Sequence, residues 1–361
     1  MLRPPWRPSV DFVEVRAEKH PVRAATSRDV AALAGVAQST VSAVINGKTV
    51  TPAIRQRVED AMRKLRYQPN ASGRTLRTAR TNVIALVERV VAAGDDLGET
   101  LPYIVNVIDE ARVHDYEVVL NTSSQGRAEI VRLAGRAICD GFIIMDVQTL
   151  DDRVAAAAQL STPVVLVGRP ADPHGLDVVD FDTLKAAELL VDELASTGHR
   201  HIAMLGEPQE ALESFRFIAD FYSAVRERAQ YCGLRCNILS RQGSDWNSVS
   251  TTADQLLEQA GDRLGLIART PRDTHMLMQV LQAHQLIPGR DVSLLSHCTD
   301  AIALSYARPV TNVSPRPAEL AALAARLLFG RLQGDTEPAR TELVEPNPLV
   351  RRATTVDFTQ E

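Results

Sequence analysis

Short apolar runs alternate with helical stretches over most of the chain, from Asn82 almost to the C-terminus. Seven runs have the length and residue types of buried strands: NVIALV, EVVLNT, GFIIMD, PVVLVGR, HIAMLG, LGLIAR and DVSLLS. Five intervening stretches have helical spacing: 104–115, 183–196, 213–230, 272–285 and 317–332. This alternation predicts parallel sheets with helices on both faces. Residues 81–361 are long enough for two such lobes, and a ligand would bind in the cleft between them.

The stretch Thr26–Val50, TSRDVAALAGVAQSTVSAVINGKTV, has a different pattern. Thr26 is a good helix N-cap, with Asp29 as its acidic partner three residues later. Gly35 accepts the left-handed conformation that ends a helix in a sharp turn. A second helix is expected from about Gln38 to Ile45. Two short helices joined at a glycine are typical of a helix-turn-helix.

Apolar spacing predicts how these helices pack. The first helix should bury the stripe Val30, Leu33 and Ala34, and the second should bury Val41, Val44 and Ile45. A third helix, with Thr51 as its cap and Pro52 in its first turn, should cover this pair through Ile54, Val58, Met62 and Leu65. Small side chains should let the helices approach closely: Ala31, Ala32, Ala34 and Ala37.

The second helix has a polar face and lies in a basic segment. Its exposed side chains are expected to be Gln38, Ser39, Thr40, Ser42 and Asn46, which suit base edges and phosphate oxygens. Residues 26–80 carry a net charge of +7, whereas residues 81–361 carry −14. A basic module on an acidic body predicts a polyanion partner, double-stranded DNA. The alternative is a plain three-helix bundle with a solvated charged surface.

The headpiece residues resemble the lactose/galactose repressor family of bacterial helix-turn-helix transcription regulators. The matching motifs are Asp29-Val30-Ala31, Ala34-Gly35-Val36, Thr40-Val41-Ser42, Val44-Ile45-Asn46 and Tyr67-Gln68-Pro69-Asn70. The resemblance continues more loosely through the body, for example in TPVVLVGR, STGHRHIAMLG and LVEPNPLVRRATT. It implies a helix-turn-helix domain at 26–70 and a hinge helix at 71–80. Residues 81–361 would form a two-lobed, periplasmic-binding-protein-like domain for effector binding and dimerisation.

The resemblance also implies a homodimer on a palindromic operator, and a set of DNA contacts. They would be Thr26, Gln38, Ser39, Thr40, Ser42, Asn46, Asn70, Arg74, Leu76 and Arg77. Leu76 aligns with the leucine that relatives wedge between base pairs in the minor groove; otherwise it is a core leucine beneath a linker. Ala37 and Ala43 depart from the family pattern at a capping and a base-reading position. Gly73 replaces a common alanine, so we expect the hinge to fold only on DNA.

In relatives a small-molecule effector closes the cleft, but the ligand positions match poorly here. Asp180-Phe181-Asp182 stands where relatives have V-D-N, and Ser296–Asp300 stands where they have G-F-D-D. The cleft residues are expected to be Arg169, Asp182, Arg216 and Arg269, although each could instead form a surface ion pair. Losing the carboxylates and asparagine that pair with sugar hydroxyls points away from a simple sugar. An anionic or less polar metabolite, or no ligand, is expected.

The sequence disfavours several other classes of protein. It has no Walker loop, G-x-S-x-G or H-E-x-x-H motif, so no enzyme activity and no cofactor are expected. The Cys232-x3-Cys236 pair has no second ligand pair nearby, so no metal is expected. Four cysteines and the lack of a long apolar run predict a cytoplasmic, nucleoid-associated protein without membrane contact. Residues 1–25 are expected to form a flexible tail.

Two other functions remain open at this point. A solute-binding protein for transport would use the same two lobes, but it predicts a secretion signal and no basic headpiece. An architectural or effector-independent DNA-binding protein would keep the headpiece and a vestigial cleft. Comparing the affinity for an operator with the affinity for random DNA would distinguish such an architectural protein from a sequence-specific regulator.

Overall fold

The computed structural model describes residues 25–45, 47–67, 80–89, 97–122 and 125–360. The chain divides into two compact units, a headpiece up to residue 79 and a body from Arg80 onward. The predicted tail and hinge, together with Asn46, Asn70, Arg74, Leu76 and Arg77, lie outside the described residues.

Three helices form the described headpiece: α1 (Ser27–Ala34), α2 (Gln38–Ile45) and α3 (Pro52–Lys64). A capping box begins α1, and Gly35 ends it with φ 63° and ψ 41°, as the sequence predicts. The core is small and is made of valines and alanines: Val30, Ala31, Ala34, Val41, Val44, Val58 and Ala61. Ile45, Ile54, Met62 and Leu65 pack at its margin.

Parts of the headpiece prediction are wrong. Leu33 is 51% exposed, whereas Val30, Ala31 and Ala34 are buried. At 100° per residue these three span one arc of α1, and Leu33 lies about 60° outside it. Two of the four alanines that were expected between closely packed helices, Ala32 and Ala37, are instead exposed. Thr51 precedes α3, but its side chain makes no capping hydrogen bond.

The first lobe of the body is a parallel sheet of six strands in the order β11-β5-β4-β3-β1-β2. The strands are β1 (Val83–Val87), β2 (Glu117–Asn121), β3 (Gly141–Ile144), β4 (Val164–Val167), β5 (Asp177–Phe181) and β11 (Thr341–Val344). Helices α4 (Leu97–Val113) and α13 (Pro317–Leu332) share one buried cluster with this sheet. Helices α5 (Arg127–Gly135) and α6 (Asp152–Ala157) share another.

The second lobe is a parallel sheet of five strands in the order β10-β9-β8-β6-β7. The strands are β6 (His201–Gly206), β7 (Arg235–Ser240), β8 (Leu264–Ala268), β9 (Ser293–His297) and β10 (Thr311–Val313). Helices α7 (Thr183–Ser196) and α9 (Arg216–Tyr231) form one buried cluster with the sheet. Helices α10 (Trp246–Glu258) and α11 (Pro271–Ala283) form the other. The short helix α8 (Gln209–Ser214) lies between β6 and α9, and the short helix α12 (Asp300–Ser305) connects β9 to β10.

The chain crosses between the lobes three times. It passes from β5 to α7, from β10 to α13, and from β11 to a C-terminal segment whose Val350 bridges Asn312. The returning α13–β11 segment is tied to β5 by Arg331, which donates to both carboxylate oxygens of Asp177 at 2.7 and 2.9 Å. The backbone N–H of Arg340 also donates to Asp177, at 3.1 Å. The first lobe is therefore completed by residues from the end of the chain.

All seven predicted strands and all five predicted helical stretches are present, with ends shifted by up to seven residues. Four strands were not predicted: β5, β7, β10 and β11. β5 contains two aspartates, β7 and β11 are edge strands with exposed side chains, and β10 has only three residues. Local hydrophobicity is a weak signal for such strands, because their pairing is decided by the rest of the sheet.

Candidate functional site

The polar face of α2 is displayed by a turn that fixes its first residues. After Gly35, the carbonyl of Ala37 accepts hydrogen bonds from the backbone N–H groups of Thr40 and Val41 at 2.9 and 3.2 Å. Val41 and Val44 enter the headpiece core. Gln38 and Ser39 are exposed, and Thr40 and Ser42 are half-buried. The four described α2 residues predicted to contact DNA thus lie outside the core.

Two hydrogen-bond groups brace the first turns of α1 and α2. Asp29 accepts from the N–H and the hydroxyl of Thr26, both at 2.7 Å, while the reciprocal bond from Asp29 N–H to Thr26 Oγ1 is longer, at 3.4 Å. Gln38 Nε2 donates to Ser27 Oγ at 2.9 Å. The predicted base reader Gln38 is therefore held against α1, which limits its rotamers before any DNA is met.

Basic groups accompany this polar face in the same unit. Arg28, Lys48 and Arg57 are exposed. Arg55 is half-buried, and its Nη2 donates to the carbonyl of Lys48 at 3.2 Å, which fixes the turn after α2. A small unit that carries both a helix with short polar side chains and exposed cations has the groups needed to read base edges and to bind phosphates.

The second candidate site is a cavity of about 410 Å³ between the two lobes of the body. The carboxyl ends of β1, β3, β4 and β5 contribute residues from the first lobe, and the second lobe contributes residues around α8, α9, β8 and β9. Its aromatic lining residues are Tyr103, Phe181, Phe215, Phe217 and His297. Its charged lining residues are Glu88, Arg89, Asp146, Asp180 and Arg269.

On the first-lobe side, Glu88 directly follows β1 and is only 5% exposed. Its Oε2 has no hydrogen-bond partner. Burial, together with the nearby Asp146 charge, raises the pKa of Glu88 to about 8. The neighbouring cation Arg153 is committed elsewhere: its Nη2 lies 2.7 Å from Asp151 and donates to the carbonyl of Asp146 at 2.8 Å.

On the second-lobe side, two buried arginines pair with buried carboxylates. Arg269 donates to Glu207, and Arg241 Nη1 lies 3.0 Å from Asp273. Burial outweighs these cations and raises the pKa of Asp273. The neighbouring His297 has its pKa lowered to about 3 by burial and by Arg269, so the ring is neutral. This wall is polar but carries little net charge.

The four predicted cleft residues are placed differently from one another. Arg269 lines the cavity. Arg169 lies 3.2 Å from Asp220 and 3.7 Å from Asp180, and Arg216 lies 3.5 Å from Asp220. The carboxylate of Asp182 caps α7 by accepting from the N–H of Lys185 at 2.9 Å. Arg169 and Arg216 thus form ion pairs, which was the alternative to a role in ligand binding. Asp182 acts as a helix cap.

Sequence reasoning missed the lining residues Glu88, Tyr103, Asp146, Phe215, Phe217 and His297. A usable signal was present for two of them: Glu88 directly follows one predicted strand and Asp146 is the last residue of another, and ligand groups gather at such carboxyl ends in parallel sheets. Across the described ranges, no group of three or more His, Cys, Asp or Glu side chains could hold a metal ion. In the same part of the chain no helix is both long and apolar enough to span a bilayer.

Three family models match the chain. Residues 26–70 match bacterial regulatory proteins of the lacI family. Residues 102–260 match the periplasmic binding proteins and sugar binding domain of the LacI family, and residues 191–355 match a periplasmic binding protein-like domain. The matches follow the division into a headpiece and a two-lobed body.

Similar proteins of full length agree with these matches. The HTH-type transcriptional regulator CelR of Thermobifida fusca is 30% identical over 92% of this chain and 98% of its own. Catabolite control protein A of Priestia megaterium is 23% identical over 86% of this chain and 93% of its own.

Two solved structures share this architecture. A CelR–cellobiose complex aligns with TM-score 0.65 and 26% identity over 92% of this chain and all of that one. The lac repressor dimer bound to operator and an anti-inducer aligns with TM-score 0.77 and 21% identity over 92% of this chain and 99% of that one. With a headpiece and a two-lobed body that both match, the chain belongs to the LacI family of helix-turn-helix transcriptional regulators.

Proposed function

We propose that two copies of this chain bind a palindromic operator and that a small molecule in the interlobe cleft modulates their affinity for it, most simply as a repressor. The observation that carries the DNA half is the polar face of α2 in a headpiece that forms a compact unit of its own and also bears exposed cations. Two-fold symmetry of the protein requires half-sites about one helical turn apart. No catalysis is needed for this role.

A face on the first lobe supports the homodimer. Exposed apolar side chains lie on α4 and on the same side of the neighbouring edge strand β2: Leu101, Val105, Val113 and Leu120. Val113 is 77% exposed. A row of this kind on a sheet edge and the adjoining helix is costly to leave in water, and a second copy would cover it.

The cleft supports effector control. It lies between lobes that are joined by three crossings, so a ligand that touches both walls has different contacts in open and closed forms. Only such a difference in interaction free energy can shift a conformational equilibrium. Since its target is chromosomal DNA, we place the protein in the cytoplasm, on the nucleoid.

The decisive experiment selects binding sites from random DNA with the full chain. An inverted repeat should emerge, bound as a dimer at least about 10³-fold more tightly than random DNA. Affinity should fall steeply with salt, because each phosphate contact releases a counterion. An architectural protein would give no consensus and near-equal affinities. Failure to enrich any inverted repeat would refute the operator proposal.

A further inference from the structure

We propose that the interlobe cleft selects a ligand that carries a protonated amine and that Glu88 is the group that receives it. This inference rests on the proposed effector role of the cleft and names the chemical class of the effector. It follows from three properties of the cavity: its charge pairing, one unpartnered buried carboxylate oxygen, and its aromatic walls.

The cations around the cavity are already matched by carboxylates. Arg269 pairs with Glu207, and Arg89 lies 3.7 Å from Asp151. Arg169, just outside the lining, lies between Asp180 and Asp220. Arg89 and Arg169 each keep an Nε without a hydrogen-bond partner, but the nearby carboxylates already offset the positive charge of these side chains, so an anionic ligand would gain little from them. This disfavours the anionic metabolite that the sequence suggested.

Glu88 is the opposite case. It forms no ion pair among the described residues, its Oε2 has no donor, and it is 5% exposed on the wall of the cavity. The charged groups that act on it are Asp146, Arg153 and Arg89. Arg153 is held by Asp151, and Asp146 adds negative potential. The hydrogen bond from Met145 N–H to Val87 O at 2.9 Å keeps the ends of β1 and β3 together.

A ligand has to supply what Glu88 lacks. A hydroxyl group brings a donor but no charge, so the buried acid would stay protonated. An ammonium group brings donors and a positive charge, and the ionised carboxylate then becomes the favoured form.

The walls suit a cation as well. The rings of Tyr103, Phe181 and Phe215 line the cavity, and aromatic faces attract cations within about 6 Å of the ring centroid. Phe217 also lines it, but its ring already has Arg269 over it, 5.6 Å from the centroid. His297, 5.4 Å from the Phe181 ring, is neutral because burial and Arg269 lower its pKa to about 3, and its Nε2 has no hydrogen-bond partner. It therefore contributes a hydrogen-bonding group without a repelling charge.

The test uses two ligand pairs in which amines replace hydroxyls: glucosamine with glucose, which differ by one amine, and the β-1,4-linked glucosamine disaccharide with cellobiose, which differ by two. Titration calorimetry on the full chain at pH 6.5 should show at least one amine binding about tenfold or more tightly than its hydroxyl partner. Runs in two buffers of different ionisation enthalpy should show a proton released as Glu88 ionises.

Variants locate the effect. Glu88→Gln keeps the shape of the side chain and should abolish both the preference and the proton release. Glu213→Gln removes an exposed carboxylate of α8 that does not line the cavity, and should leave both unchanged. Equal or tighter binding of the hydroxyl members, no binding by either amine, or amine binding without proton release would overturn the inference. Amine binding that leaves operator affinity unchanged would support this inference and refute only the effector role.

Discussion

Two substitutions on one helix separate the packing found in the structure from the packing that hydrophobicity predicts. Val30 and Leu33 both lie on α1, but Val30 is 0% exposed and Leu33 is 51% exposed. Truncating each to alanine removes apolar carbons from the same eight-residue helix. The larger side chain should nevertheless be the less important one for stability.

The magnitudes follow from burial. Val30→Ala deletes two buried methyl groups, about 0.8 kcal/mol each. With the cavity left behind, the loss is about 2–3 kcal/mol. A unit of residues 26–70 has a total stability of roughly 2–7 kcal/mol at 0.05–0.15 kcal/mol per residue. Val30→Ala therefore removes a large share of it, whereas an exposed Leu33→Ala change should cost under about 1 kcal/mol.

The assay is denaturant unfolding of the full chain, followed by amide exchange in the headpiece and by circular dichroism of the body. Val30→Ala should lower the headpiece midpoint and leave the body midpoint unchanged. Because a dimer needs both headpieces folded, operator affinity should fall with the square of the folded fraction, about a hundredfold if about a tenth of the headpieces stay folded. A Leu33→Ala variant as unstable as Val30→Ala would refute the packing argument, and a shift of the body midpoint would refute the independence of the two units.

Three further predictions concern other parts of the chain. Gln38→Ala should reduce discrimination between bases at one base pair per half-site by about 1–3 kcal/mol, measured by comparing affinity for an operator with affinity for its single-base variants. A uniform loss of affinity across all sequences would exclude base reading by Gln38. Because the pKa of Glu88 is raised to about 8, its contribution to wild-type stability is greatest below pH 4.5 and is lost as the pH rises to about 8. Glu88→Gln should therefore raise the melting temperature at pH 9 but not at pH 4.5, and an equal rise at both would contradict the shift. Gly289→Ala should destabilise the body by several degrees or more, since φ is +82° and the new Cβ would lie 1.9 Å from the carbonyl oxygen of Ala353; an unchanged melting temperature would show that the C-terminal segment yields.

The sequence predicts the parts of the fold that are decided locally. Thr26 and Gly35 mark the ends of α1 because capping chemistry acts within a few residues. The strands missed by sequence reasoning depend on distant partners, as β5 does when Arg331 covers Asp177. The two candidate sites differ in the same way. The polar face of α2 follows from helical spacing, whereas the cleft is assembled from loops far apart in sequence, so neither Glu88 nor Phe217 could be assigned to it from spacing alone.

The late return of β11 to the first sheet has a consequence during synthesis. At roughly 5–20 residues per second, the stretch between β5 and β11 takes on the order of 10–30 s to translate. Throughout that interval β5 is an open edge on the nascent chain, and an open edge invites pairing with other strands. Asp177 lies in this strand, and its unneutralised charge would deter such pairing until Arg331 arrives. The aspartate that weakens the hydrophobic pattern of β5 would thus protect the nascent strand from aggregation on the ribosome.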